Sequence, residues 1–334
     1  MQINRLKYCQ YLLSSQINYT ITNFSEHTEN VSHDRIRRYL KNDKVTPRVI
    51  WEHNKAEVVQ SNNGYILFDD TVLDKRHSNA IEEVRMQYSG NAGRVIKGIG
   101  VVTCVYVNPE INKFWIIDYR IFSPGKDGYS KLQHVSEMLR NAYHSKKLKF
   151  RYVLMDTWYA TKNLMVQIDE IGKIFYCPLK KNRFIANSGE SELYKVSEKK
   201  YESDELQKGK LIAINKFPDK LEVKLFSVAV STNRTDYVVT NDLTQNSIDD
   251  VQNVYVVRWK IEEFHRELKQ LTGVEKCQCR IARMQRNHIA CAIMVWTCLK
   301  RVANTLGKTI YSVKKGLLRS YLVNELESPA VVFA

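Results

Sequence analysis

Hydrophobic and polar positions sort the chain into a core of short apolar runs with helical segments around it. From residue 64, "GYILFDD", "GIGVVTCVYV", "KFWIIDYRIF", "RYVLMD" and "KIFYCPLKK" read as strands. Brief apolar runs bounded by turn residues suit strands buried in a sheet. "NPEIN", between the second and third runs, is a hairpin turn sequence. Two segments with helical spacing interleave, "GYSKLQHVSEMLRNAYHSKK" and "YATKNLMVQIDEIG", the latter closed by Gly172. Strand, hairpin, helix, strand, helix, strand predicts a mixed α/β core.

Residues 20–42 read as two short helices around a polar turn. Ser32 is placed to cap the second, and Asp34 favours its positive end. Ile36, Tyr39 and Leu40 share an apolar face, while Arg35 and Arg38 project together elsewhere. The pattern is compatible with a helix-turn-helix whose basic helix reads DNA, and equally with any small amphipathic pair. Pro47 suits a helix start. Within 183–250, a polar loop-like stretch precedes "KLIAINKF", "LEVKLFSVAV" and "DYVVTND", a β-rich insertion. Helices return over 250–272 and 286–306, the latter with Ile289, Ile293, Trp296, Leu299, Val302 and Leu306 in one apolar stripe. The expected organisation is an N-terminal helical region (1–60), a core (61–182 and 251–306), the insertion (183–250) and a basic tail (307–334).

One helix carries an unusual polar set. In "YVVRWKIEEFHRELK", residues 255–269, Tyr255, Arg258, Glu262 and Lys269 fall within an arc of roughly 60° if each residue turns about 100°. Val257, Ile261, Phe264, Leu268 and Leu271 cluster on a separate, core-facing side. A solvated face with i,i+4 ion pairs would explain the charges alone. It does not explain Tyr255 and Trp259 beside them, or two preceding strands that end in Asp. One carboxylate with two cations suits a site that handles metal and phosphate together.

Charge strengthens this picture. The 334 residues carry a formal +15, and 276–319 holds ten Lys or Arg with no Asp or Glu. Clustered positive charge points to a polyanion, most often nucleic acid, with salt-sensitive binding. Seven irregularly spaced cysteines suit a reducing compartment. No run of about 20 apolar residues and no secretory signal is apparent, so the expectation is cytoplasmic, without a membrane partner. Cys277 and Cys279 match zinc spacing poorly, and His77 and His265 read equally as structural. No P-loop, G-x-G-x-x-G or H-E-x-x-H is present.

Phosphodiester cleavage by two divalent ions needs carboxylates converging from separate elements. Mg²⁺ prefers oxygen ligands and keeps several waters, so few side chains suffice. The candidates are Asp69 or Asp70 at the end of the first strand, Asp156 at the end of the fourth, and Glu262 on the helix. Glu263 points away from Arg258 and Lys269, which favours Glu262. Arg258 and Lys269 can bind phosphate, Tyr255 can donate its hydroxyl, and Trp259 can stack on a displaced base.

Tyr255-x2-Arg258-x3-Glu262-x6-Lys269 resembles the Y-R-E-K signature of transposases of the insertion-sequence-four group. "RWKIEEFHRELK", "LFDDTVLDKRHS", "MQYSGNAGRVIKG" and "VLMDTWYAT" resemble the segments around the acidic residues of that group. They are most similar to the branch of insertion sequence seven-hundred-and-one. The resemblance covers about 60–305 and implies an RNase H-like fold with a β-rich insertion. It implies Asp70, with Asp69 as alternative, Asp156 and Glu262 as catalytic ligands of two Mg²⁺, with Mn²⁺ able to substitute. It implies phosphate contacts for Tyr255, Arg258 and Lys269; some relatives use a Trp in base flipping, and Trp259 is placed either for a flipped base or for packing beside Arg258. The implied activity is cleavage at the ends of a mobile element and joining of the 3′-hydroxyl to target DNA. The implied partners are double-stranded DNA, as terminal inverted repeats and target, and a second copy of the chain on DNA. Two rivals are a DNA-binding remnant without catalysis and a structure-specific nuclease on the same fold.

Overall fold

The computed structural model describes residues 3–78, 80–198, 202–218, 221–231 and 234–328. Helices α1 (Arg5–Ser14), α2 (Ile21–Glu26), α3 (His33–Asn42) and α4 (Pro47–Asn54) come first. Strands β1 (Tyr65–Asp74), β2 (Arg85–Ser89), β3 (Arg94–Asn108) and β4 (Lys113–Ile121) follow, then α5 (Pro124–Asp127), α6 (Lys131–Arg140), β5 (Tyr152–Met155), α7 (Lys162–Glu170) and β6 (Ile174–Leu179). The next segment holds β7 (Phe184–Asn187), β8 (Tyr194–Lys195), α8 (Ser203–Lys208), β9 (Lys210–Ile214), β10 (Val223–Ser231) and β11 (Arg234–Thr240). The chain closes with α9 (Ile248–Val256), α10 (Trp259–Leu271), α11 (Ala282–Leu306), α12 (Ile310–Gly316) and α13 (Arg319–Glu327). The last residues of the expected tail, 329–334, lie outside the described residues.

The strands run in the order β2-β3-β1-β5-β6-β11-β10-β9-β7-β8, with β4 paired to β3. β1, β5 and β6 are parallel neighbours. β11 pairs antiparallel with β6, Tyr237 opposite Leu179 and Thr240 opposite Tyr176. The strands between 183 and 250 therefore extend the core sheet itself. Periodicity did not signal β2, whose Met86 and Tyr88 are 63% and 64% exposed, nor α8, which a Glu202–Glu205 capping box starts within a polar stretch. The local signals for α6 and α7 hold: Ser130 and Gln133 form a capping box, and Gly172 follows α7 with φ +65.

The chain divides into two compact units. One comprises 1–56, 71–101 and 263–334, the other 57–70 and 102–262. The first is built around α11, which packs on α1, α3, α4 and α12. By length and composition α11 could cross a bilayer. Its buried polar residues are instead spent on protein partners. Asn287 donates to the carbonyls of Leu40 (2.8 Å) and Asp43 (2.6 Å) and accepts from the Val45 N–H. Ser32 caps α3 as the pattern predicts, and Ile36 and Leu40 are buried. Trp296 lies edge-on to Phe264, centroids 4.6 Å apart, and donates to Glu267. The expected stripe fades at its end, where Leu306 is 56% exposed.

Burial lowers the pKa of His265 and of His288 to about 3. His288 is held neutral by fit: the Tyr8 hydroxyl donates to Nδ1 (2.8 Å), and Nε2 donates to the Gly273 carbonyl (3.1 Å). Between about pH 3 and about pH 6.5 the unfolded chain binds more protons, so stability rises with pH across that window and levels off above it. Melting temperature should climb from pH 4 to pH 6.5. His288→Gln, which keeps a donor and an acceptor without titrating, should make the climb shallower; an unchanged slope refutes the assignment.

Candidate active site

The second unit brings the candidate carboxylates together. β1 and β5 are in parallel register, Tyr65 beside Tyr152 and Phe68 beside Met155. One step further along each strand lie Asp69 and Asp156. Parallel neighbours in register point to the same face, and successive residues to opposite faces. Asp69 and Asp156 thus each follow the last paired residue, Asp69 within β1, which runs on to Asp74, and Asp156 just past the end of β5. The Asp69 Oδ1 accepts the Asp70 N–H (2.8 Å), and Thr103 Oγ1 donates to the Asp69 carbonyl. Burial, then the charges of Asp156 and Asp70, push the Asp69 pKa well above the usual carboxylate range. Burial and the Asp70 charge also raise Asp156, although it accepts the N–H groups of Trp158 (2.9 Å) and Tyr159 (3.1 Å).

Both oxygens of Asp70 are occupied. Tyr159 donates its hydroxyl to Oδ1 (2.7 Å), and the Lys131 ammonium sits 2.5 Å from Oδ2. Lys131 also lies over the rings of Phe122 and Trp158. Asp70 therefore ties β1 to the start of α6 and to the turn that carries Asp156.

The expectation of one helix over 255–269 is corrected. α9 ends at Val256 and α10 starts at Trp259, so Tyr255 and Glu262 stand on different helices. Through the break the backbone closes i→i−3 bonds: Val257 N to Val254 O, Arg258 N to Tyr255 O, Lys260 N to Val257 O and Ile261 N to Arg258 O. Three β-branched valines, 254, 256 and 257, lower the cost of leaving the helix there. The single arc deduced for a continuous helix does not survive. The apolar side does: Ile261, Phe264, Leu268 and Leu271 are buried.

The break buries Arg258 to 7% exposure. Its Nη2 pairs with Glu262 Oε1 at 2.9 Å. Its guanidinium lies 5.5 Å from the Tyr255 ring and 5.4 Å from that of Trp259. Burial opposes its charge, but Tyr255, Glu262, Asp69 and Asp156 together keep its pKa raised. One buried cation thus feels the carboxylates of β1, β5 and α10. Its Nε is buried without a hydrogen-bond partner, an unused donor beside anionic-ligand chemistry.

Tyr255 and Lys269 are engaged elsewhere. Tyr255 is buried and donates to Asp236 Oδ2 (2.7 Å), which Arg234 also grips. Lys269, in the first unit, donates to the Val72 carbonyl (2.8 Å) and lies 3.4 Å from Glu275. Trp259 is 44% exposed. Arg35 and Arg38 are exposed on α3, Arg35 donating to the Asn30 carbonyl. His77 is exposed, and His265 is buried against Phe264.

Among the described residues, no three His, Cys, Asp or Glu side chains stand close enough to hold a metal as they are, so neither Asp69 nor Asp70 forms a ready-made ligand set with Asp156 and Glu262. The chemistry of the donors still fits a hard divalent cation: carboxylates whose pKa values rise through burial first and neighbouring negative charge second gain from a positive charge between them. Sequence reasoning missed Lys131, Trp158, Tyr159, Asp236 and Arg234. Trp158 and Tyr159 stand inside the quoted "VLMDTWYAT", but Lys131 lies 61 residues from Asp70, and Asp236 lies 19 from Tyr255. No local pattern announces such pairs.

Residues 65–298 match the family described as "Transposase DDE domain". No curated protein matches the chain by sequence. Among solved structures, the chain is similar to the piggyBac transposase in a synaptic complex with hairpin DNA, with a TM-score of 0.51 and 11% identity over 98% of this chain and 73% of that one. At such identity the likeness shows a shared fold. Two others, the Drosophila P element transposase in a strand transfer complex (TM-score 0.29, 11% identity, 52% of this chain and 37% of that one) and Ciona intestinalis Endonuclease V with inosine-containing DNA (0.28, 8%, 61% and 84%), are too distant to bear on the fold. The mixed sheet flanked by helices is RNase H-like. With 65–298 of its 334 residues matched, the chain belongs to the DDE transposase family.

Proposed function

We propose that the protein is the transposase of an insertion sequence of the insertion-sequence-four group, in the branch of insertion sequence seven-hundred-and-one. It cleaves phosphodiester bonds at the element's ends and joins the 3′-hydroxyl to target DNA. The observation that carries this reading is the juxtaposition of Asp69, Asp156 and Glu262 around buried Arg258, whose Nε lacks an acceptor. Asp69, one step past Phe68 as Asp156 is one step past Met155, is taken as the better ligand of the two adjacent aspartates. Asp70, the residue the family resemblance favours, holds Tyr159 and Lys131.

Asp69, Asp156 and Glu262 would hold two Mg²⁺ or Mn²⁺, which when bound supply a Lewis acid and an activated oxygen nucleophile. The chain's own groups orient the DNA. Arg258 donates its free Nε to a phosphate oxygen near the scissile bond. Trp259, exposed beside it, offers a stacking face to an unpaired base. Phosphate contacts by Tyr255 and Lys269 require each to give up its present partner, Asp236 or the Val72 carbonyl. Exposed Arg35 and Arg38 on α3 read or clamp duplex DNA. Two copies assemble on DNA to join two element ends.

The test uses DNA carrying the inverted repeats that flank the reading frame. With Mg²⁺ the protein should nick at the repeat end, leave a 3′-hydroxyl and form strand-transfer products; EDTA should stop both reactions while DNA binding persists. Binding without any nick in Mg²⁺ or Mn²⁺ would sink the proposal.

A further inference from the structure

The first unit contains a cleft of about 470 Å³ that the reaction above leaves unused. Its walls come from α1, the start of α2, α3, the segment before α11 and the first turn of α11. Tyr19, Ile21 and Met284 supply an apolar side. His33, Arg37 and Arg280 supply the basic groups, and no Asp or Glu lines the cleft. Arg37 and Arg280 are exposed, and neither guanidinium makes an ion pair or a hydrogen bond among the described residues. The Tyr19 ring is fixed in place, packed against Gly273, where a Cβ would come within 2.4 Å of it, with the Lys314 ammonium 5.8 Å from its centroid.

We propose that this cleft binds a single nucleotide unit, its phosphate on Arg37 and Arg280 and its base against Tyr19, Ile21 and Met284. Two unpaired guanidiniums on an acid-free wall suit a phosphate, which each can grip with two parallel N–H donors. A bare phosphate would leave most of the volume empty. The size falls in the range of about 300–1,000 Å³ usual for small-ligand sites, and an aromatic and aliphatic wall takes the flat face of a base. The nucleotide is either free or part of a single-stranded stretch of DNA. The transposase reading favours DNA, and the inference rests on that reading for the source alone.

Binding is measured on the full chain in EDTA, by titration with dAMP, deoxyadenosine and inorganic phosphate. DNA hairpins with blunt ends and with short 5′ single-stranded flaps are compared in parallel. dAMP should bind at one site, with phosphate and deoxyadenosine each weaker by about tenfold or more, since each makes half of the contacts. Arg37→Ala and Arg280→Ala should each weaken dAMP by about tenfold or more, and Ile21→Trp, which fills the cleft, should abolish binding. Both arginines are exposed, so these variants should melt as the parent does. A preference for flap over blunt DNA that the arginine variants lose assigns the nucleotide to DNA. dAMP binding without that preference assigns a free nucleotide. Absence of both, or their persistence in the arginine variants, overturns the proposal. Cleavage is silent in EDTA, so a failure of strand cleavage leaves this result standing, and a failure here leaves the cleavage test untouched.

Discussion

Asp156→Asn should lower metal-dependent DNA cleavage by about a thousandfold or more, equivalent to roughly 4 kcal/mol of lost transition-state stabilisation. DNA binding in EDTA should change by no more than about twofold, because the substitution removes charge from a carboxylate that repels phosphate. Asn keeps the side-chain oxygen that accepts from Trp158 and Tyr159 N–H, so the turn itself should persist. Glu262→Gln should behave alike. The informative comparison is between the neighbours on β1. Asp69→Asn should match Asp156→Asn. Asp70→Asn should act through geometry, loosening the tie to Tyr159 and Lys131, with a smaller loss of cleavage and a lower melting temperature. Near-parental cleavage by Asp156→Asn removes the two-strand carboxylate site. An Asp70 variant as inactive as the Asp69 variant, with unchanged melting, returns the ligand role to Asp70.

Arg258→Ala should weaken DNA binding by about tenfold to a hundredfold and make its salt dependence shallower by about one unit of log–log slope, the signature of one lost phosphate contact. Cleavage should fall further, because the carboxylates of Asp69, Asp156 and Glu262 lose their shared cation. Stability should drop by about 1–3 kcal/mol, between the cost of breaking a buried pair and that of breaking an exposed one, since Glu262 is 36% exposed while Arg258 is buried. Arg258→Lys should restore little. An ammonium lacks the Nε donor and the flat surface that lies between the Tyr255 and Trp259 rings. Unchanged salt dependence in Arg258→Ala would show that this guanidinium never meets phosphate.

Several elements were legible because their causes are local. The apolar runs of β1, β3, β4, β5 and β6 bury side chains on a sheet, and that need writes itself into consecutive residues. Ser32 before α3 and Gly172 after α7 act on backbone groups within a turn of themselves. The break between α9 and α10 was not legible, because the 3.6-residue recurrence of apolar positions passes through it unchanged. The break goes together with the burial of Arg258 near residues of β1, β11 and the end of β5, which is a tertiary event. β11 was readable as a strand, but its pairing with β6 was not, since neither strand encodes its neighbour.

The sequence by itself determined a mixed α/β core and its basic character, because these depend on composition, period and short spacings; it placed Asp156 at the end of β5, but it ended the first strand at Asp69 and Asp70, whereas β1 runs on to Asp74. Only the tertiary structure decided that Asp69, Asp70 and Asp156 lie within electrostatic reach of one another, that Tyr255 and Glu262 belong to different helices, and that Lys131 and Tyr159 hold Asp70. The reason is physical. Strand register and side-chain partnership are set by contacts between residues tens to hundreds of positions apart, and a slip of one residue in a strand reverses which side chain faces the site.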